Sequence, residues 1–172
     1  MIKRISLLLI IFLVTFSFNQ VNAQSPKIGY INTQELIQAM PASDSAQAEL
    51  TKSIEQINKQ IEKMQVEYNN KLEEYISEAE NMSPLIRQTQ ETELGEMEQR
   101  IQQFRMVAEE DIQQQREKLF KPIRDTSKKA ISEVAKENKF TYIIDNSSGV
   151  LVYIAPDAIN ILPMVKQKLG LN

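Results

Sequence analysis

The residues that most often carry catalysis are missing. The chain has no histidine and no cysteine, so it lacks the commonest general base and the thiolate ligands of soft metals. Acid–base work would fall to carboxylates, whose densest groups are Glu73-Glu74 and Glu109-Glu110-Asp111. Both groups lie in stretches with apolar residues at helical spacing, where they occupy the polar, solvated face. A serine nucleophile would need another base, and no glycine-rich phosphate loop is present. The sequence argues against an enzyme, and no cofactor or metal is expected.

What the sequence does offer is apolar, polarizable surface at regular spacing. Leu50, Ile54, Ile57, Ile61, Met64 and Tyr68 step by fours and threes, the spacing that keeps one seam against a partner helix. The seam continues through Leu72, Tyr75, Ala79 and Met82 after two successive steps of four, which relax a supercoil locally. Leu94, Met97, Ile101, Phe104, Ala108 and Ile112 repeat the pattern. Ile76, Leu85, Ile86, Met106 and Val107 fall off the seam. A slender hairpin cannot cover them all, and uncovered apolar surface marks binding. Methionines repack against varied partners. The candidate binding residues are therefore Met64, Tyr68, Tyr75, Ile76, Met82, Leu85, Ile86, Met97, Phe104, Met106 and Val107.

These residues must be positioned by a helical hairpin over residues 43–139 that turns at 81–84. Between Pro41 and Pro122 the only proline is Pro84 and the only glycine is Gly95, while Glu, Gln, Lys and Arg dominate. Ser83 is suited to cap the second arm and Pro84 to occupy its first position. Pro122 falls inside that arm, where a missing N–H predicts a kink or hinge near its junction with the rest of the chain. Gly95 marks a second flexible point.

Around the hairpin the elements are short. Residues 27–31 read as a strand, Asn32 as a cap with Glu35 three residues on, and Leu36, Ile37 and Met40 as the apolar side of a short helix. Residues 140–145 and 150–154 are β-branched and aromatic runs flanking Asn146-Ser147-Ser148-Gly149, which predicts a hairpin of strands. Pro156-Asp157 then opens a helix that Gly170 stops. These segments are too few to form an independent core, so an oligomer is expected, with Ile28, Tyr30, Ile143, Val150, Val152 and Ile154 as interface candidates.

Residues 1–23 have the charged start, apolar stretch and small-residue site of a cleaved export signal. The apolar run is short of the ~20 residues that span a bilayer, so no stable membrane anchor is expected after cleavage. Without Lys3 and Arg4 the chain carries 18 basic and 23 acidic residues, a net charge of −5. That balance gives no bulk attraction to nucleic acid. Charge is uneven: residues 71–98 hold two basic and eight acidic side chains, whereas residues 100–139 hold ten basic and seven acidic.

The layout of a signal, one strand, a short helix ending in proline, a long hairpin broken at Ser83-Pro84, and the stretch from Pro122-Ile123 through Ala130-Ile131 and Val134-Ala135-Lys136 to Lys168-Leu169-Gly170 resembles the OmpH-like (Skp) family of periplasmic chaperones. The resemblance implies an α+β, mostly α fold: a long antiparallel coiled-coil hairpin on a small β body that assembles into a trimeric barrel. It divides the chain into a signal at 1–23, body segments at 24–42 and 121–172, and a tentacle at 43–120. It implies an ATP-independent periplasmic holdase, a homotrimer that shelters unfolded outer-membrane proteins between its tentacles. This chain departs from basic family members in its acidic tip, so no lipopolysaccharide site is carried over. The alternative is a structural coiled-coil spacer or adaptor of the cell envelope that binds a folded partner.

Overall fold

A computed structural model describes residues 25–171, so the expected export signal lies outside the described residues. The chain enters as strand β1 (Ile28–Ile31) and passes directly into helix α1 (Thr33–Gln38). Asn32 caps α1: its Oδ1 accepts the Glu35 N–H at 3.0 Å, satisfying one of the donors that a helix start leaves orphaned. Helix α2 (Pro41–Glu78) begins two residues earlier than the sequence pattern suggests. Pro41 sits in its first turn, where a missing N–H carries no penalty.

Helix α3 (Pro84–Glu137) runs back along α2. By helix rise their lengths are roughly 57 Å and 81 Å, so α3 outreaches α2 and enters the sheet end of the molecule. Ser83 caps α3, its Oγ accepting the Ile86 N–H at 3.4 Å. Pro122 lies inside α3, which remains one helix to Glu137. The helix ends through Lys139 in the left-handed conformation, φ 57°, with the Phe140 N–H reaching the Ala135 carbonyl at 2.9 Å. That is the reversal normally assigned to glycine.

The sheet corrects the expected strand hairpin. Strand β2 (Tyr142–Asp145) pairs in parallel with β1, placing Gly29 opposite Ile143 and Tyr30 opposite Ile144. Residues 150–154 form no strand. The third strand is β3 (Ile159–Asn160), parallel to the other side of β1, in the order β2-β1-β3. The loop at 146–151 closes on itself: Asn146 Oδ1 accepts the Leu151 N–H at 2.9 Å and Gly149 turns at φ 69°. Consequently the apolar run after it leaves the sheet instead of folding back on β2. Helix α4 (Leu162–Lys168) starts later than Pro156-Asp157, because β3 intervenes. Among the described residues the sheet is open within one chain, and no barrel closes.

Two apolar clusters hold this end together. Ile31, Leu36, Ala130, Val134, Ile161, Leu162 and Val165 are buried against each other. Met40, Ala46 and Ile123 form the second cluster beside Leu119 and Phe120, and Leu169 and Leu171 touch both. The end of α3 is thus gripped by α1, α4 and the sheet. The Lys168 ammonium, paired with Glu133 and Glu137, fastens α4 to α3 from outside.

Candidate functional site

The long hairpin presents two populations of apolar side chains. Every seam position from Leu50 through Ile54, Ile57, Ile61, Met64, Tyr68, Leu72 and Tyr75 to Ala79 and Met82 is buried or half-buried. On α3 the same holds for Leu94, Met97, Ile101, Phe104, Ala108 and Ile112, with Leu94, Ile101 and Ala108 the most buried. Steps of three and four put these residues on the mutual face of the helices. By contrast Ile76, Leu85, Ile86, Met106 and Val107 are exposed, as is Val66. Val66 was absent from the sequence candidates, although its position two residues past Met64 is enough to rotate it off the seam.

The eleven candidate binding residues therefore do not form one surface. Met64, Tyr68, Tyr75, Met82, Met97 and Phe104 serve first as packing between the arms, half-buried. Ile76, Leu85, Ile86, Met106 and Val107 stand in solvent. Around Ile101 the seam is open from both sides. Met64, Met97 and Ile101 line a hollow of about 230 Å³ rimmed by Gln60, Glu67 and Arg100. Tyr68 and Ile101 line another of about 180 Å³ with Glu98 and Arg105.

Among the described residues, the polar side-chain contacts that join the two sides of the hairpin lie toward its tip. The Tyr75 hydroxyl donates to Glu91 Oε1 at 2.6 Å, and this hydrogen bond holds the phenol above its ordinary pKa. Lys71 lies 3.8 Å from Glu74 and 3.5 Å from Glu93, tying the arms together. The Arg87 guanidinium donates to the Ala79 carbonyl at 2.6 Å, satisfying an acceptor at the end of α2. Apart from Lys71–Glu74, an i,i+3 pair within α2, sequence spacing gives no notice of these bonds, since they join residues on opposite sides of the turn.

At the sheet end, Tyr30, Ile143 and Ile154 are half-buried, Ile28 is half-exposed, and Val150 and Val152 lie in solvent. Tyr142 and Tyr153 are exposed beside them in sequence; both lie in the runs that the sequence marks as strands, though neither is among the interface candidates. A further open groove of about 520 Å³ runs between the first turns of α2 and the Pro122 region of α3, lined by Met40, Ala46, Leu119, Pro122 and Ile123. The carboxylate pairs set aside at the outset, Glu73-Glu74 and Glu109-Glu110-Asp111, are exposed. Among the described residues no helix is long and apolar enough to cross a membrane.

Comparison with known proteins places this architecture. The outer membrane protein (OmpH-like) family matches residues 27–169. The chain is 26% identical over 152 residues to the chaperone protein Skp of Vibrio cholerae, covering 86% of this chain and 87% of that protein. Its fold is similar to the crystal structure of an OmpH-like protein of Caulobacter crescentus, with a TM-score of 0.70, 14% identity and 89% of each chain covered.

Proposed function

Since this chain belongs to the OmpH-like family of outer membrane proteins, we propose that it is an ATP-independent periplasmic holdase that binds unfolded outer-membrane proteins and prevents their aggregation. The observation that carries this reading is the row of large apolar side chains left in solvent along an otherwise polar hairpin: Ile76, Leu85, Ile86, Met106 and Val107. A two-helix hairpin has one mutual face, and these residues are not on it. Their burial must come from something outside the hairpin.

The working unit is a homotrimer whose sheets join into a barrel, with the hairpins as tentacles around a cavity. Support comes from the sheet end, where Tyr142, Val150, Val152 and Tyr153 are exposed on a body too small to spend them otherwise. Among the described residues strand β2 also keeps a free edge, a template for pairing with another chain. Many weak apolar contacts suit a carrier without an energy source. Each is individually small, so release needs only a better binder, while their sum delays folding by mass action.

The test is light scattering of a urea-diluted outer-membrane β-barrel protein with and without the purified protein. The reading expects scattering to be suppressed near one trimer per client, with no ATP present. Undiminished scattering, together with tight binding to a folded envelope protein, would replace it with a structural spacer.

A further inference from the structure

The end of the hairpin combines two features. Ile76, in the last turn of α2, and Leu85 and Ile86, in the first turn of α3, are exposed. The same stretch of chain is rich in carboxylates, most of them in no ion pair. Residues 71–98 hold eight acidic and two basic side chains. One of the two bases, Lys71, is taken by Glu74 and Glu93, and the other, Arg87, is directed to the Ala79 carbonyl. Among the described residues Glu73, Glu78, Glu80, Glu96 and Glu98 are in no ion pair.

These charges do not serve the helices. The C-terminal end of a helix carries partial negative charge and favours lysine or arginine. The last turn of α2 has no basic residue and ends on Glu78, with Glu80 following in the turn. Helix stability alone would select the opposite sign there.

We propose that the hairpin tip docks cationic, apolar-bearing segments of a polypeptide partner, the apolar side chains meeting Ile76, Leu85 and Ile86 while lysine or arginine meets the surrounding carboxylates. Charge complementarity selects this occupant: an acidic or neutral apolar segment would desolvate or repel the same carboxylates. The inference deepens the holdase reading by giving the client a direction, basic stretches at the tip and acidic stretches toward the mildly basic residues 100–139.

The experiment is fluorescence anisotropy of the full protein with three short labelled peptides: alternating leucine and lysine, alternating leucine and glutamate, and alternating serine and lysine. The leucine–lysine peptide should bind at least about tenfold more tightly than either control at about 0.02 M salt, and its gap to the leucine–glutamate peptide should shrink at about 0.5 M as the Debye length shortens. Glu78→Gln with Glu80→Gln should weaken it about threefold without lowering the thermal midpoint. Leu85→Ser with Ile86→Ser, both at exposed positions, should weaken it at least as much while circular dichroism stays helical. Equal affinity for the leucine–lysine and leucine–glutamate peptides overturns the proposal. So does equal affinity for the serine–lysine peptide, which would mean counter-ion binding only, or indifference to both pairs of substitutions. Suppressed client aggregation without peptide selectivity would leave the holdase reading standing and this one refuted. Tip-dependent peptide binding without suppression would do the reverse.

Discussion

Gly29→Ala is the sharpest probe of how the sheet end is packed. Gly29 is buried in the central strand, opposite Ile143 on one side and Ile159 on the other. A Cβ added there would lie 2.9 Å from Phe140 Cε1, 3.0 Å from Ile161 Cγ2 and 3.1 Å from Ile143 Cδ1. Three neighbours at once must give way. The Ile143 terminus is flexible, but the Ile161 contact is a branch on Cβ, and the Phe140 ring is covered by the Lys27 ammonium at 4.3 Å. Overpacking of this kind costs about 1–3 kcal/mol. Alanine recovers about 0.4–1 kcal/mol by restricting the unfolded chain. The net expectation is a loss of about 1–2 kcal/mol, or a fall of about 3–6 °C in thermal midpoint for a domain of this size. Thermal unfolding followed by circular dichroism at fixed protein concentration measures it. An unchanged or raised midpoint would refute the claim that Gly29 is selected by close packing.

Three further outcomes are expected. Lys139→Gly should stabilise the chain by about 1 kcal/mol in urea unfolding, because the left-handed φ of 57° is strained for lysine and free for glycine. Asp145 is partly desolvated, which works against its charge, but hydrogen bonds from the Thr33 hydroxyl at 2.6 Å, the Thr33 N–H at 3.2 Å and the Ser147 N–H at 2.9 Å prevail and hold its pKa below 3.8. Its contribution is therefore present above pH 3.8 and lost as pH falls through the lower folded value, so the stability gap to Asp145→Ala, measured by urea midpoints, should close on acidification. Pro122→Ala restores a donor toward the Lys118 carbonyl and should raise stability by at most about 3 kcal/mol. If Pro122 is a hinge, spin labels at position 82 should give a broad tip-to-tip distance distribution that narrows in the variant, whereas a fixed bend would only shift a narrow one.

The hairpin was legible because its determinants are local and repeated. Apolar steps of three and four from Leu50 to Met82 and from Leu94 to Ile112 name the mutual face, and Ser83-Pro84 names the turn. The exposed positions, Ile76, Leu85 and Met106 among them, follow by subtraction. The sheet was legible only in part. Residues 142–145 were marked by their β-branched and aromatic content, yet residues 150–154 have the same content and form no strand. Propensity describes a side chain that fits a pleated surface and says nothing about which backbone it will meet. The strand that does pair, Ile159–Asn160, is two residues long, with a pattern that reads equally as the start of the helix after it. Gly29 carried no local signal at all, since its role depends on Phe140 and Ile161, more than 100 positions away.

That separation also orders assembly of the chain. Strand β1 comes first and ends up central, so both of its partners lie beyond residue 141. Parallel pairing of Ile28 with Tyr142 must close a loop containing the entire helical hairpin. Closing an unstructured loop of that length is slow, whereas α2 and α3 contact one another across a five-residue turn. With the hairpin formed, the antiparallel arms bring the end of α3 back to the start of α2, and Ile123 meets Met40 and Ala46. The remaining closure is then short: the Thr141 N–H has only to reach the Lys27 carbonyl, and Asn146 the Ile31 carbonyl, each at 2.7 Å. The hairpin is thus the device that brings the two halves of the sheet together. A break in the seam near Leu50 or Ala108 would disturb the sheet before it disturbed the exposed residues at the tip.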